Sequence, residues 1–125
     1  MNIDQMKSSL SMHDLFFSKC LIEREPKIEN GELNVNLKKK IEMIKEHEFF
    51  VTLNLSIDKT DLHLEIIANA TFDFEDDGKA NEEVLIQNNT IAIMYPFVRS
   101  QVTLMTSQPG MAPIVLPPIN VSKLQ

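Results

Sequence analysis

Hydrophobic and polar residues alternate through the middle of the chain. Every second residue is apolar from Phe49 to Ile57, and the alternation resumes from Leu62 to Phe74. A period of two places the apolar side chains on one face of a β-strand. The polar turn at 58–61 separates the two runs. Together they predict an antiparallel hairpin.

Two further strands are predicted upstream of this hairpin. Leu33, Val35 and Leu37 alternate with polar residues, and Ile41 and Met43 continue the same parity. The segment 15–25 is apolar on both parities, which is typical of a strand covered on both faces or covered by a partner chain. Four strands in meander order follow from this pattern.

The period changes after the fourth strand. Apolar residues recur at three- and four-residue spacing from Thr90 to Ser107, which predicts a helix. Pro96 lies inside this helix and is expected to kink it or to mark its first turn. Asn81 has the character of a helix start, and Pro109 with the following glycine ends the helix. The proline-rich segment beyond them is expected to be extended. The predicted fold class is α+β, a four-stranded antiparallel sheet packed with one long kinked helix.

Length, charge and cysteine content narrow the class of protein. The 125 residues are enough for one domain, 1–125, of which 1–13 is expected to be flexible or a short N-terminal segment. A net charge of −6 argues against nucleic acid as a partner. A single cysteine fits a reducing cytoplasm, and the short apolar runs argue against membrane insertion. We therefore expect a cytoplasmic protein.

The candidate chemical motifs are incomplete. His47–Glu48 lacks the second histidine of a zinc-peptidase helix. Asp73 begins a segment like a calcium loop, but the twelfth place is Val84 instead of a glutamate. The three glycines lie too far apart for a phosphate-binding loop. No metal, cofactor or enzymatic activity is predicted, and a plain acidic turn is expected at 75–78.

Apolar residues are too many for one helix to cover. Seven methionines and seven phenylalanines occur in a chain with four strands and one helix. Flexible methionine side chains adapt to varied partners. We therefore expect some apolar surface to remain for another polypeptide chain.

Two elements resemble the SecB export-chaperone family. They are Tyr95-Pro96-Phe97-Val98-Arg99 and the later Leu116-x-Pro118-Ile119-Asn120-x-x-x-Leu124. The resemblance covers most of the chain, and the sequence is similar to a short member without the family's C-terminal helix. It implies a four-stranded sheet with a long helix, assembled into homodimers or homotetramers, that binds unfolded polypeptides in apolar grooves without ATP. The family's acidic contacts to the translocase ATPase lie on the first strand. Cys20 and Arg24 stand there in this chain, which argues against that partner.

The predicted function is a SecB-like chaperone, or holdase, for unfolded or preprotein polypeptides. The alternative is a dedicated interaction module, such as a toxin–antitoxin chaperone or an adaptor. The expected client-binding residues are Phe50, Met94, Tyr95, Phe97, Met111, Ile114 and Leu116. The expected residues of the oligomer interface are Phe16, Phe17, Leu21, Val98, Val102 and Met105.

Overall fold

The computed structural model describes residues 10–26, 31–74 and 82–119 and contains four strands followed by one helix. The elements are β1 (Leu10–Arg24), β2 (Asn34–Lys45), β3 (Glu48–Lys59), β4 (Leu62–Phe74) and α1 (Glu82–Met105). All strand pairs are antiparallel. The predicted α+β class, a four-stranded antiparallel sheet with one helix, is confirmed.

The predicted meander order is wrong. The strands lie in the order β1-β4-β3-β2, so β1 pairs with β4 and not with its neighbour in sequence. Strands β2, β3 and β4 do form a meander, and β1 joins its far edge, as in a Greek key. Tight turns join β2 to β3 and β3 to β4. Alternation defines the faces of a strand but not its partners.

One face of the sheet packs under α1, and we call it the helix side. The helix lies on β4, β1 and β3. The opposite face, which we call the open face, carries no helix among the described residues. The buried core on the helix side consists of Leu10, Phe49, Val51, Leu53, Leu55, Ile57, Leu64, Ile66, Ala68, Ala70, Phe72, Phe74, Ile91, Met94, Tyr95, Val98, Val102 and Leu116.

Two β-bulges explain why β1 is apolar on both parities. The pairing of β1 with β4 shifts between His13 and Phe16 and again between Phe17 and Lys19. Each shift adds one residue to β1 and moves the following side chains to the other face. Phe17 and Ile22 have opposite parity, yet both pack against the core. Most of the strand thus has one apolar face, so the predicted cover on both faces is wrong there. The alternative, cover by a partner chain, stays a prediction.

Asn69 holds the second bulge in place. Its side-chain amide donates to the Ser18 hydroxyl at 2.9 Å, and its carbonyl oxygen accepts from the Thr52 hydroxyl at 3.0 Å. Ser18 is the extra residue of that bulge, and Asn69 is only 6% exposed although it lies on the open face. One buried amide thereby connects β1, β4 and β3. A buried amide with both ends bonded stabilises a single register.

Pro96 lies well inside α1, not in its first turn. Its ring points away from the core: Pro96 is exposed, whereas the neighbouring Tyr95 is buried. Proline has no amide hydrogen to donate to the carbonyl of Ala92, four residues earlier. Ala92 is exposed, so water can bond to that carbonyl instead. The helix also begins earlier than the predicted Thr90.

Several predictions fall at the ends of the described ranges. Leu10–His13 belong to β1, and the rest of the predicted N-terminal segment 1–13 lies outside the described residues. The acidic turn at 75–78, the helix start at Asn81 and the Asn120–Leu124 part of the resemblance lie outside the described residues.

We predict that Asn69→Ala lowers the free energy of unfolding by about 1–2 kcal/mol, because it leaves Thr52 and Ser18 without their partner. Urea unfolding measures the loss. Ser56→Ala, on the same face of β3, is the matched control and should change stability by less than about 0.5 kcal/mol. Equal effects of the two changes would show that Asn69 has no special role.

Candidate functional site

The segment that follows the helix, residues 111–119, runs back along α1 without helix or strand structure, and we call it the tail. Two threonines one turn apart hold its middle. The Thr103 hydroxyl donates to the Ile114 carbonyl at 2.8 Å, and the Ile114 amide donates to the Thr106 hydroxyl oxygen at 2.8 Å. Both backbone groups of Ile114 are therefore satisfied by side chains of the helix region, as a strand partner would do.

Tyr95 holds the tail further along. Its hydroxyl donates to the Pro117 carbonyl at 2.8 Å, and neighbouring Leu116 is buried in the core. Burial raises the pKa of the Tyr95 phenol. The aromatic-Pro-aromatic element therefore has divided roles, since Tyr95 points inward to the tail and Phe97 points outward to solvent.

Arg24, the last residue of β1, holds the turn before the tail. Its guanidinium donates to the carbonyls of Pro109 and Gly110 and to the Gln108 side chain, each at 3.3 Å. Gly110 has a φ of 72°, a conformation that residues with a Cβ rarely adopt. This turn aims the chain back along the helix.

A cavity of about 350 Å³ lies between the start of the tail and the end of the sheet. This volume is at the lower end for small-ligand pockets and can accept a few side chains. The lining residues are Arg24, Gly31, Leu33, Lys59, Asp61, Leu62, Gly110, Met111, Ala112 and Ile114. Apolar walls with one aspartate and two cations suit a peptide segment better than a compact metabolite.

A row of apolar side chains on β2 begins next to this cavity. We call Leu33, Val35, Leu37, Ile41 and Met43 the β2 row. Register pairs Val35 with Ile57 and Met43 with Phe49, so the row lies on the helix side. Yet Leu33 is 43%, Val35 49% and Met43 68% exposed. The row is about 33 Å long at roughly 3.3 Å per residue, which fits an extended segment of about ten residues.

Three of the expected client-binding residues belong to the core. Met94 is fully buried, Tyr95 is 7% exposed and Leu116 is 5% exposed. A client cannot contact these side chains in the folded protomer. Their apolar character reflects packing between helix, tail and sheet.

The other four expected client-binding residues do not form one surface. Met111 and Ile114 line the cavity. Phe97 projects from the outer side of α1, 47% exposed. Phe50 is half-buried on the open face near the start of β3, whereas the cavity adjoins the end of that strand. These four residues therefore do not line a single groove.

The expected interface residues likewise divide into buried core residues and residues that are at least partly exposed. Val98 and Val102 are fully buried under the sheet, so they are core residues and not available to a partner. Phe16 is 50% exposed on the open face of β1. Phe17, Leu21 and Met105 are half-buried, and Phe17 and Met105 pack against the core.

The exposed part of the β2 row is not among the residues expected from the sequence. Its alternation was visible in the sequence, but alternation alone assigns such residues to a core. Only the position of the helix over β1, β4 and β3 shows that β2 is left uncovered. Val115 of the tail is also exposed, which its apolar character alone does not predict.

The open face carries several charged side chains that are paired with one another. Lys19 donates to Glu65 at 2.8 Å, and this bond lowers the pKa of the Glu65 carboxyl. His63 bonds to Asp58 at 2.6 Å, so His63 and Glu65 have separate partners. No three His, Cys, Asp or Glu side chains in the described ranges are arranged to hold a metal ion. No helix within those ranges is long and apolar enough to cross a membrane.

Comparison with protein families gives a match over nearly the whole chain. The family described as preprotein translocase subunit SecB matches residues 9–125. The chain is 26% identical over 135 residues to the protein-export protein SecB of Aromatoleum aromaticum, covering 98% of this chain and 85% of that protein. It is 27% identical over 118 residues to an uncharacterised protein of Methanocaldococcus jannaschii, covering 88% of this chain and 74% of the other. The predicted resemblance is confirmed.

Solved structures share the fold. The Mycobacterium tuberculosis SecB-like chaperone Rv1957, in complex with a ChAD peptide from the HigA1 antitoxin, superposes with a TM-score of 0.71 at 14% identity. That match covers 89% of this chain and 88% of the other. A Streptococcus agalactiae protein of unknown function has a TM-score of 0.54 at 11% identity, with coverage of 86% and 96%.

We predict that the Tyr95 phenol titrates above its ordinary pKa of about 10 and that Thr103→Val with Thr106→Val lowers it. Releasing the tail exposes the phenol, which then ionises more easily. Tyr95 is the only tyrosine and tryptophan is absent, so tyrosinate absorbance reports this group directly. Because the folded-state pKa is raised, the stability linked to it is complete below about pH 10 and is lost as the pH rises through the folded-state value.

Thr71→Val on the open face is the matched control for this titration, and it should leave the Tyr95 pKa unchanged. An unchanged pKa in the double valine variant would contradict the assignment of these threonines as the ties that hold the tail over Tyr95.

Proposed function

Because the chain belongs to the SecB family, we propose that it is a holdase that binds extended segments of unfolded polypeptides along the β2 row and in the adjoining cavity. It acts in this proposal by binding and not by catalysis, in the cytoplasm. The observation that carries the proposal is the row of apolar side chains on the helix side that the helix leaves exposed. Folded proteins seldom leave several neighbouring apolar side chains of one strand in water without a binding role.

The shape of the row suits an unfolded client. An extended segment presents side chains at the same spacing of about two residues per 6.6 Å as the strand it lies on. Burying apolar surface contributes roughly 25 cal/mol per Å², and it does not require one particular client sequence. Binding is expected to have a negative heat-capacity change and a weak dependence on salt.

We predict that Val35→Ser with Met43→Ser raises about tenfold the concentration needed for half-maximal suppression of client aggregation, because two exposed apolar contacts are removed. Light scattering of a chemically denatured client measures the effect. Met43 is 68% exposed, so the fold should be retained, and circular dichroism checks this.

Ile44→Ser is the matched control. Ile44 is the next residue on the same strand and is 52% exposed, but it lies at the register shift between Met43 and Lys45 and is not part of the β2 row. Its change should affect suppression by less than about twofold, within the usual effect of a surface substitution. A loss from Ile44→Ser equal to that of the double variant would remove the β2 row from the site.

A dedicated interaction module is the second candidate, and one comparison favours it. The similar chaperone Rv1957 is in complex with a peptide from an antitoxin. A holdase suppresses aggregation of many unrelated denatured proteins, whereas a dedicated module protects one partner and ignores the rest. A panel of unrelated clients separates the two. The translocase ATPase is not part of the proposal, since Arg24 is engaged with the turn before the tail.

We also propose that the protein self-associates through β1 and the outer side of α1, as a homodimer or homotetramer. Phe97 is 47% and Leu104 is 67% exposed, and seven residues separate them, which is two helical turns on one side. The outer edge of β1 pairs with no described strand. Stable interfaces of this kind bury more than about 2,000 Å² and include such apolar side chains.

We predict that Leu104→Asp shifts the assembly toward the monomer at tens of micromolar protein, because it places a charge in the apolar contact. Sedimentation velocity measures the shift. Asn36→Asp adds the same charge at an exposed position on β2 and should leave the assembly intact. A wild-type protein that sediments only as a monomer would contradict this part of the proposal.

A further inference from the structure

One charged residue interrupts the β2 row at its centre. Lys39 pairs with the fully buried Leu53 in the register of β2 with β3, so it lies on the helix side between Leu37 and Ile41. It is half-buried, whereas Lys38 and Lys40 on the other face are exposed. From Val35 to Met43 the alternate positions thus have the order apolar, apolar, cation, apolar, apolar.

The lysines of β2 differ in their partners. Lys40 pairs with Glu42 at 2.7 Å, and Lys45 lies 4.0 Å from Glu48. Lys38 and Lys39 form no ion pair with any residue in the described part of the chain. The stem of Lys39 lies in a row of apolar side chains, and its ammonium is available to pair with an added carboxylate.

The strand that carries Lys39 is also an edge strand of the sheet. β2 pairs with β3 on one side and with no described strand on the other. Its four lysines and one glutamate give it a net charge of +3 in a chain of net charge −6. Lysines on an edge strand discourage random pairing between sheets, and they leave pairing open to a strand of opposite charge.

We propose that β2 binds extended segments by strand addition and that Lys39 selects segments with an acidic residue between apolar residues at alternate positions. This inference rests on the proposed function and specifies its client class. An added strand pairs its backbone with the free edge, and its side chains alternate between the two faces. The side chains on the helix side then meet Val35, Leu37, Lys39, Ile41 and Met43 in turn, and a central carboxylate lies next to the Lys39 ammonium.

The experiment uses three fluorescein-labelled peptides of sequence Ile-Thr-Val-Thr-Xaa-Thr-Val-Thr-Ile, in which Xaa is Glu, Gln or Lys. Fluorescence anisotropy measures their binding to the full chain. The Glu peptide should bind about fivefold more tightly than the Gln peptide, and the Lys peptide should bind most weakly. The difference should shrink as salt is added, because charge pairing is screened.

Lys39→Glu and Lys38→Glu are a matched pair, since they change the net charge equally on opposite faces of the same strand. Lys39→Glu should reverse the order of the three peptides, and Lys38→Glu should preserve it. Equal affinities for the three peptides, an unchanged order in Lys39→Glu, or a reversal in both variants would overturn the inference.

Suppression of client aggregation is measured on the same samples. Suppression without binding of any of the peptides would leave the holdase function standing and overturn strand addition at β2. The expected peptide order without suppression of any client would overturn the holdase function and support the selectivity of Lys39.

Discussion

One helix is too narrow to cover a sheet of four strands. A helix is about 10 Å across with its side chains, while strands lie about 4.8 Å apart, so one helix covers two or three strands. Here α1 lies over β4, β1 and β3, and within the described ranges the helix side of β2 stays partly exposed, although Leu37 and Ile41 pack against the core. The exposed row, the cavity beside it and the proposed client site all follow from this mismatch of widths. The Greek-key order adds to it, because it puts β2 at the edge farthest from β1.

The tail reduces the mismatch without removing it. Residues 111–119 add a further layer beside the helix, and Leu116 enters the core. A segment with three prolines has few amides to satisfy, so a small number of side-chain bonds can hold it. Thr103, Thr106 and Tyr95 supply them from the helix region. A regular strand in this place would need a partner along its whole length, whereas the tail leaves the neighbouring sheet surface open.

The sequence was sufficient for the elements but not for their arrangement. Alternation located β3 and β4, and three- and four-residue spacing located the helix, because each pattern reflects one face buried locally. Strand order was not predictable, since the partner of β1 depends on contacts between residues far apart in sequence. The bulge at Ser18 was hidden for the same reason, because Asn69 of β4 holds it. The site residues were mixed with core residues, since Met94, Val98 and Leu116 have the same apolar character as exposed Met43.

An exposed apolar row on an edge strand can promote aggregation. An exposed apolar edge is a template for aggregation, and a chaperone that holds unfolded chains meets such templates continually. The open face carries charges that are already paired within the protomer, such as Lys19 with Glu65 and His63 with Asp58. On β2 the cations outnumber the anions, so two copies of that edge repel each other. A segment that lacks the cations can still approach the same strip. The charge distribution therefore disfavours β2 pairing with itself while it leaves the strand open to a client.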